Sequence, residues 1–199
     1  MRARDVVIGL GLAAGAAAVA VWSGSEAGRE ADRRAFASIN SSADPGIDRG
    51  TDLLFLQITE LGSIAASTGA AAVLAVSGRP REAARAICAA GFTWLACQGV
   101  KRMTDRPRPY DALPEQVRLL IAKPKATSFP SSHPAVLTTF HRVAAREIGL
   151  GPISRAVLSA TDGTVGVSRV ALGVHWPSDV AGGLLLGRAI ARLWPRGRR

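Results

Sequence analysis

The chain of 199 residues is poor in cysteine, histidine and aromatic side chains. Its two cysteines, Cys88 and Cys97, fall in one predicted helix. Nine residues of helical rise set them about 13 Å apart and on nearly opposite faces, so they cannot pair within it. No CxxC spacing marks a metal site, and small apolar packing is the simpler use of both thiols. Only 5% of residues are aromatic, and no finger, ribbon or recognition-helix pattern accompanies the net charge of +10. Nucleic acid is therefore excluded as the reason for that charge. Neither an internal repeat nor a low-complexity segment is evident beyond a bias to Ala and Gly.

What is present is alternation. Apolar runs rich in Ala and Gly, part of a 48% hydrophobic content, are separated by compact basic stretches. The pattern predicts membrane helices with charged connections, folded as one domain over residues 1–199. Six helices are expected: Val6–Trp22, Asp52–Val76, Ala83–Arg102, Ser132–Ile148, Ile153–Leu172 and Pro177–Leu193. Ala18-Val19-Ala20 also resembles a cleavage site, which makes a signal peptide the alternative for the first. His141, Arg142, Arg146 and Glu147 interrupt the fourth. Residues 23–50 read as a polar connection, and Val117–Ala122 as a short interfacial helix. Trp22, Trp176 and Trp194 fall at helix ends, as interfacial anchors do. Trp94 does not, and is expected between helices.

Charge sets the topology. With the N-terminus inside, the inner connections are Gly78–Arg85, Arg146–Arg155 and Arg196–Arg199, all basic, as the positive-inside rule asks. The expected fold class is all-α: a six-helix transmembrane bundle with its active site at the outer membrane–water boundary. The Ala, Arg and Gly bias is consistent with a bacterial protein, hence with the cytoplasmic membrane.

Three clusters carry the chemistry. Lys101 is followed by six residues and then Arg108-Pro109; Pro130-Ser131-Ser132-His133 comes next; Ser168-Arg169 is followed by five residues, His175, three more, and Asp179. Together they hold three cations, a serine-rich turn, two histidines and a carboxylate. An anionic phosphoryl group needs this set, with no metal ligand and no cofactor added. Each cluster alone has a plainer reading: interfacial charge for the cations, helix capping for the serines, a helix-start pair for His175 and Asp179. Arg169, set between apolar stretches, resists that reading, because charge inside a membrane is functional by default.

In order and spacing the clusters resemble the three-part signature of the type 2 phosphatidic acid phosphatase family, which shares its site with the vanadium haloperoxidases. The resemblance covers Lys101 to Asp179. It departs at Ser132, where the family usually has Gly. The resemblance implies a metal-independent phosphatase acting on a phosphorylated lipid at the membrane. His175 would be the nucleophile, oriented by Asp179 four residues on. His133 would be the proton donor to the leaving group. Lys101, Arg108, Arg169, Ser131 and Ser132 would hold the phosphate. Arg106 would stand behind these or at the substrate entrance. Substrate candidates are a polyprenyl diphosphate, phosphatidic acid, phosphatidylglycerol phosphate or a lipid-linked sugar phosphate. Rival readings are a vanadate-dependent haloperoxidase, a lipid-phosphate-binding or transporting protein with a degenerate site, and an unrelated membrane assembly subunit. The oligomeric state is not readable.

One expectation lies outside the signature. Asp162 precedes Arg169 by seven residues, hence about 10 Å deeper on nearly the same face. His141 sits about 12 Å along its helix from His133. A short inner loop should make the two helices antiparallel neighbours, so Asp162 is expected to pair with His141 or Arg142.

Overall fold

In a computed structural model the described residues are 2–40 and 49–197. They form helices only: α1 (Ala3–Gly24), α2 (Glu26–Ile39), α3 (Arg49–Glu60), α4 (Ile64–Val76), α5 (Pro80–Thr104), α6 (Pro109–Ala112), α7 (Ser132–Glu147), α8 (Pro152–Ala171) and α9 (Pro177–Leu193). Proline opens α5, α6, α8 and α9, where its missing N–H is no loss. The central helix is α7, packed against α4, α5, α8 and α9, while α1 lies along α9. His141, Arg146 and Glu147 are tolerated in α7 because neighbouring helices half-bury them, while Arg142 is exposed.

The interior is built from small and polar side chains. Ala86, Ala89, Ala90, Ala135 and Ala144 are buried. Thr93 and Thr139 share a hydrogen bond of 2.8 Å between α5 and α7, and Thr139 donates to the Gly187 carbonyl of α9 at 3.1 Å. The outside is the reverse. Val7, Leu10, Leu53, Val73, Phe92, Leu95 and Val157 all project outward. An apolar coat over a small and polar interior fits lipid as the surrounding solvent.

Several expectations are corrected. Residues 23–50 are not merely a connection. Ser25 accepts the Gly28 N–H at 3.1 Å and starts α2, whose Gly28, Asp32 and Phe36 form one buried face. The expected Asp52–Val76 helix is broken at residues 61–63, with a bend of 62°. Ser63 caps α4 there, accepting the Ala66 N–H at 3.0 Å. Residues 117–122 are not helical. Their backbone is drawn to other partners: the Arg118 N–H donates to Asn40 Oδ1 at 3.0 Å, and Leu119, Leu120 and Ile121 pack on Leu172 and Val174.

Two tryptophans exchange roles. Trp176 is buried rather than interfacial, because its indole N–H reaches the Pro107 carbonyl at 2.9 Å and its ring packs on Phe36. Trp94 is 42% exposed rather than packed between helices. Among the described residues, α1 alone is long and apolar enough to cross a membrane by itself, and α3 with α4 makes one more such segment if the bent pair counts as one. The remaining long helices bury polar faces against one another, which lowers their mean hydropathy.

The basic connections do meet at one end of the bundle. Arg85 bonds the Pro195 carbonyl at 2.6 Å, Arg146 bonds that of Trp194 at 3.1 Å, and Glu147 accepts the Gly197 N–H at 3.0 Å. The three sequence clusters gather at the other end.

Candidate active site

Lys101 ends α5, whose helical run continues to Thr104. Its ammonium donates to the Thr127 and Ser128 carbonyls at 2.9 and 3.3 Å. Arg108 precedes α6 and is pinned in the same way, to the Ala126, Val174 and Thr127 carbonyls at 2.8, 2.7 and 3.3 Å. Arg169 comes from the last turn of α8 and reaches Thr59 of α3 at 2.8 Å. All three are buried. Carbonyls and a hydroxyl fix their positions without neutralising them, so their charge remains for a ligand.

His175 hangs in the short turn between α8 and α9. Gly173 makes that turn possible: it is left-handed, with φ 80°, and a side chain there would meet the Arg118 carbonyl. Arg108 Nη1 stands 3.3 Å from His175 Nε2, and Asp179 Oδ2 is 3.4 Å from Nδ1. Burial, and then the charges of Arg108, Lys101 and Arg169, hold the imidazole well below its ordinary 6.5. His175 is therefore neutral at physiological pH, with an unprotonated nitrogen available.

Asp179 serves the helix start and the histidine together. Its Oδ2 accepts the Trp176 N–H at 2.8 Å, the Ser128 hydroxyl at 2.5 Å and the longer contact from His175. Its Oδ1 takes Arg106 at 2.5 Å. Arg106 is thus not an entrance cation but the partner behind the carboxylate. Its other nitrogen reaches Asp32 of α2, also at 2.5 Å. Asp32 in turn accepts the Ser178 N–H at 2.9 Å and its hydroxyl at 2.6 Å.

Ser131 precedes α7, yet its hydroxyl caps nothing. The Ser131 and Ser132 hydroxyls are both buried without a hydrogen-bond partner among the described residues. Ser132 is the first residue of α7 and has no left-handed backbone, so the position usually held by Gly accepts a side chain without strain. His133 follows, close enough to Arg169, Lys101 and Arg108 to feel their charge. Its side chain lies over Gly62, in the break between α3 and α4. No group of three His, Cys, Asp or Glu suited to a metal is found among the described residues.

All eight sequence-derived residues therefore share one end of the bundle. Asp32, Ser128 and Thr59 were not foreseen. Asp32 had a signal, since Gly28, Asp32 and Phe36 recur at helical spacing in a stretch read as a connection. Asp162 pairs with His141, Oδ1 to Nδ1 at 2.7 Å, and not with Arg142. A cavity of about 520 Å³ flanks the Arg106 side of the cluster, walled by Val21, Phe129 and Trp176.

A family model described as the PAP2 superfamily matches residues 82–199. The decaprenylphosphoryl-5-phosphoribose phosphatases of two Mycobacterium tuberculosis strains are each 32% identical over 94 residues, 47% of this chain and 49% of theirs. The chain thus spans about half the length of the curated relatives it matches. The structure of Aquifex aeolicus LpxE aligns with a TM-score of 0.68 at 27% identity, covering 79% of this chain and 90% of that one. A transmembrane PAP2 type phosphatidylglycerolphosphate phosphatase from Bacillus subtilis aligns with a TM-score of 0.73, covering 92% and 91%. At 21% identity that likeness is one of fold.

Proposed function

The chain belongs to the PAP2 superfamily, and from that premise we propose that it is an integral membrane phosphatase that releases phosphate from a phosphorylated lipid. One observation carries the reading: a buried, neutral imidazole stands between a fixed carboxylate and three fixed cations. Such a group has no structural use that a smaller residue would not serve better.

The chemistry follows from the positions. Lys101, Arg108 and Arg169 bind the phosphate oxygens and stabilise the charge that builds up on them. The Ser131 and Ser132 hydroxyls add two donors. His175 Nε2 gives its lone pair to phosphorus, and the bond from phosphorus to the leaving oxygen breaks with its electron pair. Asp179 stabilises the imidazolium that forms. The bound phosphate anion offsets the charge of the three cations and lets His133 carry a proton. His133 gives that proton to the leaving oxygen, then takes one from water as the hydroxide attacks phosphorus and the phosphorus–nitrogen bond breaks. The phosphohistidine is thereby resolved and inorganic phosphate leaves. The fixed cations supply the positive charge a metal would bring, so the reaction needs none.

The basic end of the bundle lies in the cytoplasm on this reading, and the site opens outward. The apolar coat and the cavity beside Trp176 suit a substrate with a long hydrocarbon chain. A polyprenyl-linked phosphate and a glycerolipid phosphate are both served by it. The test is turnover of a panel of lipid phosphates and diphosphates by purified protein, with and without chelator. Phosphate release unaffected by chelator and abolished by His175→Ala is expected. Release that persists in His175→Ala removes the nucleophile assignment, and no release from any lipid removes the function.

A further inference from the structure

At the end of the bundle away from His175, a cavity of about 540 Å³ opens among α1, α7, α8 and α9. Its wall carries Arg142, Arg155 and Arg188. Among the described residues none of the three has an ion-pair or hydrogen-bond partner, and Arg188 Nε is buried without one. The other arginines on the rim are already engaged. Arg192 and Arg196 hold Asp5 at 3.3 and 2.9 Å, and Arg146 is bound to the Ala191 and Trp194 carbonyls at 3.0 and 3.1 Å.

The uncompensated charge is concentrated. Arg142 lies within electrostatic range of Arg188 and Arg192, with the Asp162 carboxylate acting against them. Like charges gathered in a concave, partly buried space repel, and an anion between them recovers that energy. Asp162 also lines the cavity; one of its oxygens is bound to His141, and a single carboxylate cannot offset three guanidinium groups. The rest of the wall includes Ile8, Leu12 and Leu158, which no inorganic anion would use. A guanidinium fork matches phosphate oxygens, and an apolar wall matches an acyl chain.

We propose that this cavity is a second phosphate site, separate from the catalytic one, which holds the headgroup phosphate of an anionic phospholipid from the leaflet opposite the active site. The lipid as source rests on the membrane reading above; the phosphate chemistry does not. Arg142 and Arg155 are exposed, but Arg188 is half-buried with its Nε buried and unpartnered among the described residues, which a topology signal at the rim would not require.

The test uses the full chain in detergent and native mass spectrometry with added phosphatidylglycerol, phosphatidylethanolamine or inorganic phosphate. Wild type is compared with Arg142→Gln/Arg188→Gln, with Lys101→Ala/His175→Ala to empty the catalytic site, and with Arg79→Ala/Arg81→Ala. The last removes equal charge at the same end but outside the cavity. Phosphatidylglycerol is expected to stay bound to wild type, to the Lys101/His175 variant and to the Arg79/Arg81 variant, and to bind at least tenfold more weakly to the Arg142/Arg188 variant. Glutamine keeps the length of the side chain, and single Arg188→Gln serves if the double variant does not fold. Equal retention by wild type and the Arg142 and Arg188 variants overturns the proposal, as does an equal loss from Arg79 and Arg81. Inorganic phosphate that depends on Arg142 and Arg188 while the lipid does not overturns the lipid as source. A protein inactive on every lipid phosphate sinks the proposed function and leaves this result standing.

Discussion

At the scale of single residues, the site depends on groups that never touch a phosphate. Asp179 could not hold both the helix start and His175 if it were free to turn. Arg106 and Ser128 stop it turning, and Asp32 fixes Arg106 from the other side. Asp32 is 3% exposed, so its charge acts in a medium that screens it little. A hydrogen bond to a charged group contributes about 1.5–3 kcal/mol. Asp32→Asn keeps the shape and loses the charge, so kcat is expected to fall about 10- to 100-fold. KM should change little, since the phosphate ligands stay in place. Steady-state kinetics of Asp32→Asn beside Arg106→Lys checks this. An unchanged kcat in both variants would show that Asp179 is held well enough by Ser128 and the Trp176 N–H alone.

At the scale of elements, the helices that bear the three clusters were legible, because Pro, Gly and the apolar periods mark their ends. The break between α3 and α4 was not. The sequence there, Leu61-Gly62-Ser63, reads as an ordinary weak point in a long apolar run, and only the neighbours explain it. A side chain at Gly62 would stand 2.7 Å from Val165 and 2.8 Å from the His133 Cβ. The break thus lets a helix end pass directly over the proposed proton donor. The helix α2 was missed for the same kind of reason. Its polarity suggested a loop, although Gly28, Asp32 and Phe36 recur at helical spacing; what that face packs against, Trp176 and Ser178, has no signal in the sequence. Contacts between helices distant in sequence, such as Asp32 with Arg106 or Arg169 with Thr59, have no spacing rule to reveal them. Gly62→Val should lower stability by about 1–3 kcal/mol through overpacking and reduce activity by displacing His133. Gly69→Ala is the control. It lies in α4 with open space around it, and should be neutral or stabilise by about 0.4–1 kcal/mol. Thermal unfolding in detergent and turnover of both variants separate the two outcomes. Loss of stability in Gly69→Ala equal to that in Gly62→Val would mean that the loss at Gly62 does not come from its contacts with Val165 and His133.

At the scale of the whole molecule, two facts have to be reconciled: apolar runs long enough to span are few, yet the helices form a bundle coated in apolar side chains. If the bundle spans the membrane as proposed, α5, α7, α8 and α9 need only one lipid-facing stripe each, because their other faces bury threonines, arginines and the Asp162–His141 pair. On the proposed membrane reading, overall hydropathy therefore understates how much of the chain would lie in the bilayer. Charge gives the sharper test. Arg79 is the N-cap of α5, Arg81 and Arg85 lie in its first two turns, and Arg146 and Arg196 join them at the same end. A juxtamembrane cation near an anionic leaflet contributes about 1 kcal/mol each, so inverting the bundle would forfeit several. Cysteine placed singly at Glu115 or at Arg81, in a background lacking Cys88 and Cys97, reports the sides. Both positions are exposed; Arg81 is in the first turn of α5, and Glu115 is in the loop beyond α6, on the side to which the other end of α5 leads. In intact cells an impermeant thiol reagent is expected to label Glu115→Cys and to reach Arg81→Cys only after the cells are opened. The reverse pattern would put the His175 site in the cytoplasm and its phosphate product with it. Labelling of both from outside would mean that α5 does not cross the membrane, and the bundle would then have to be read as lying on one side of it.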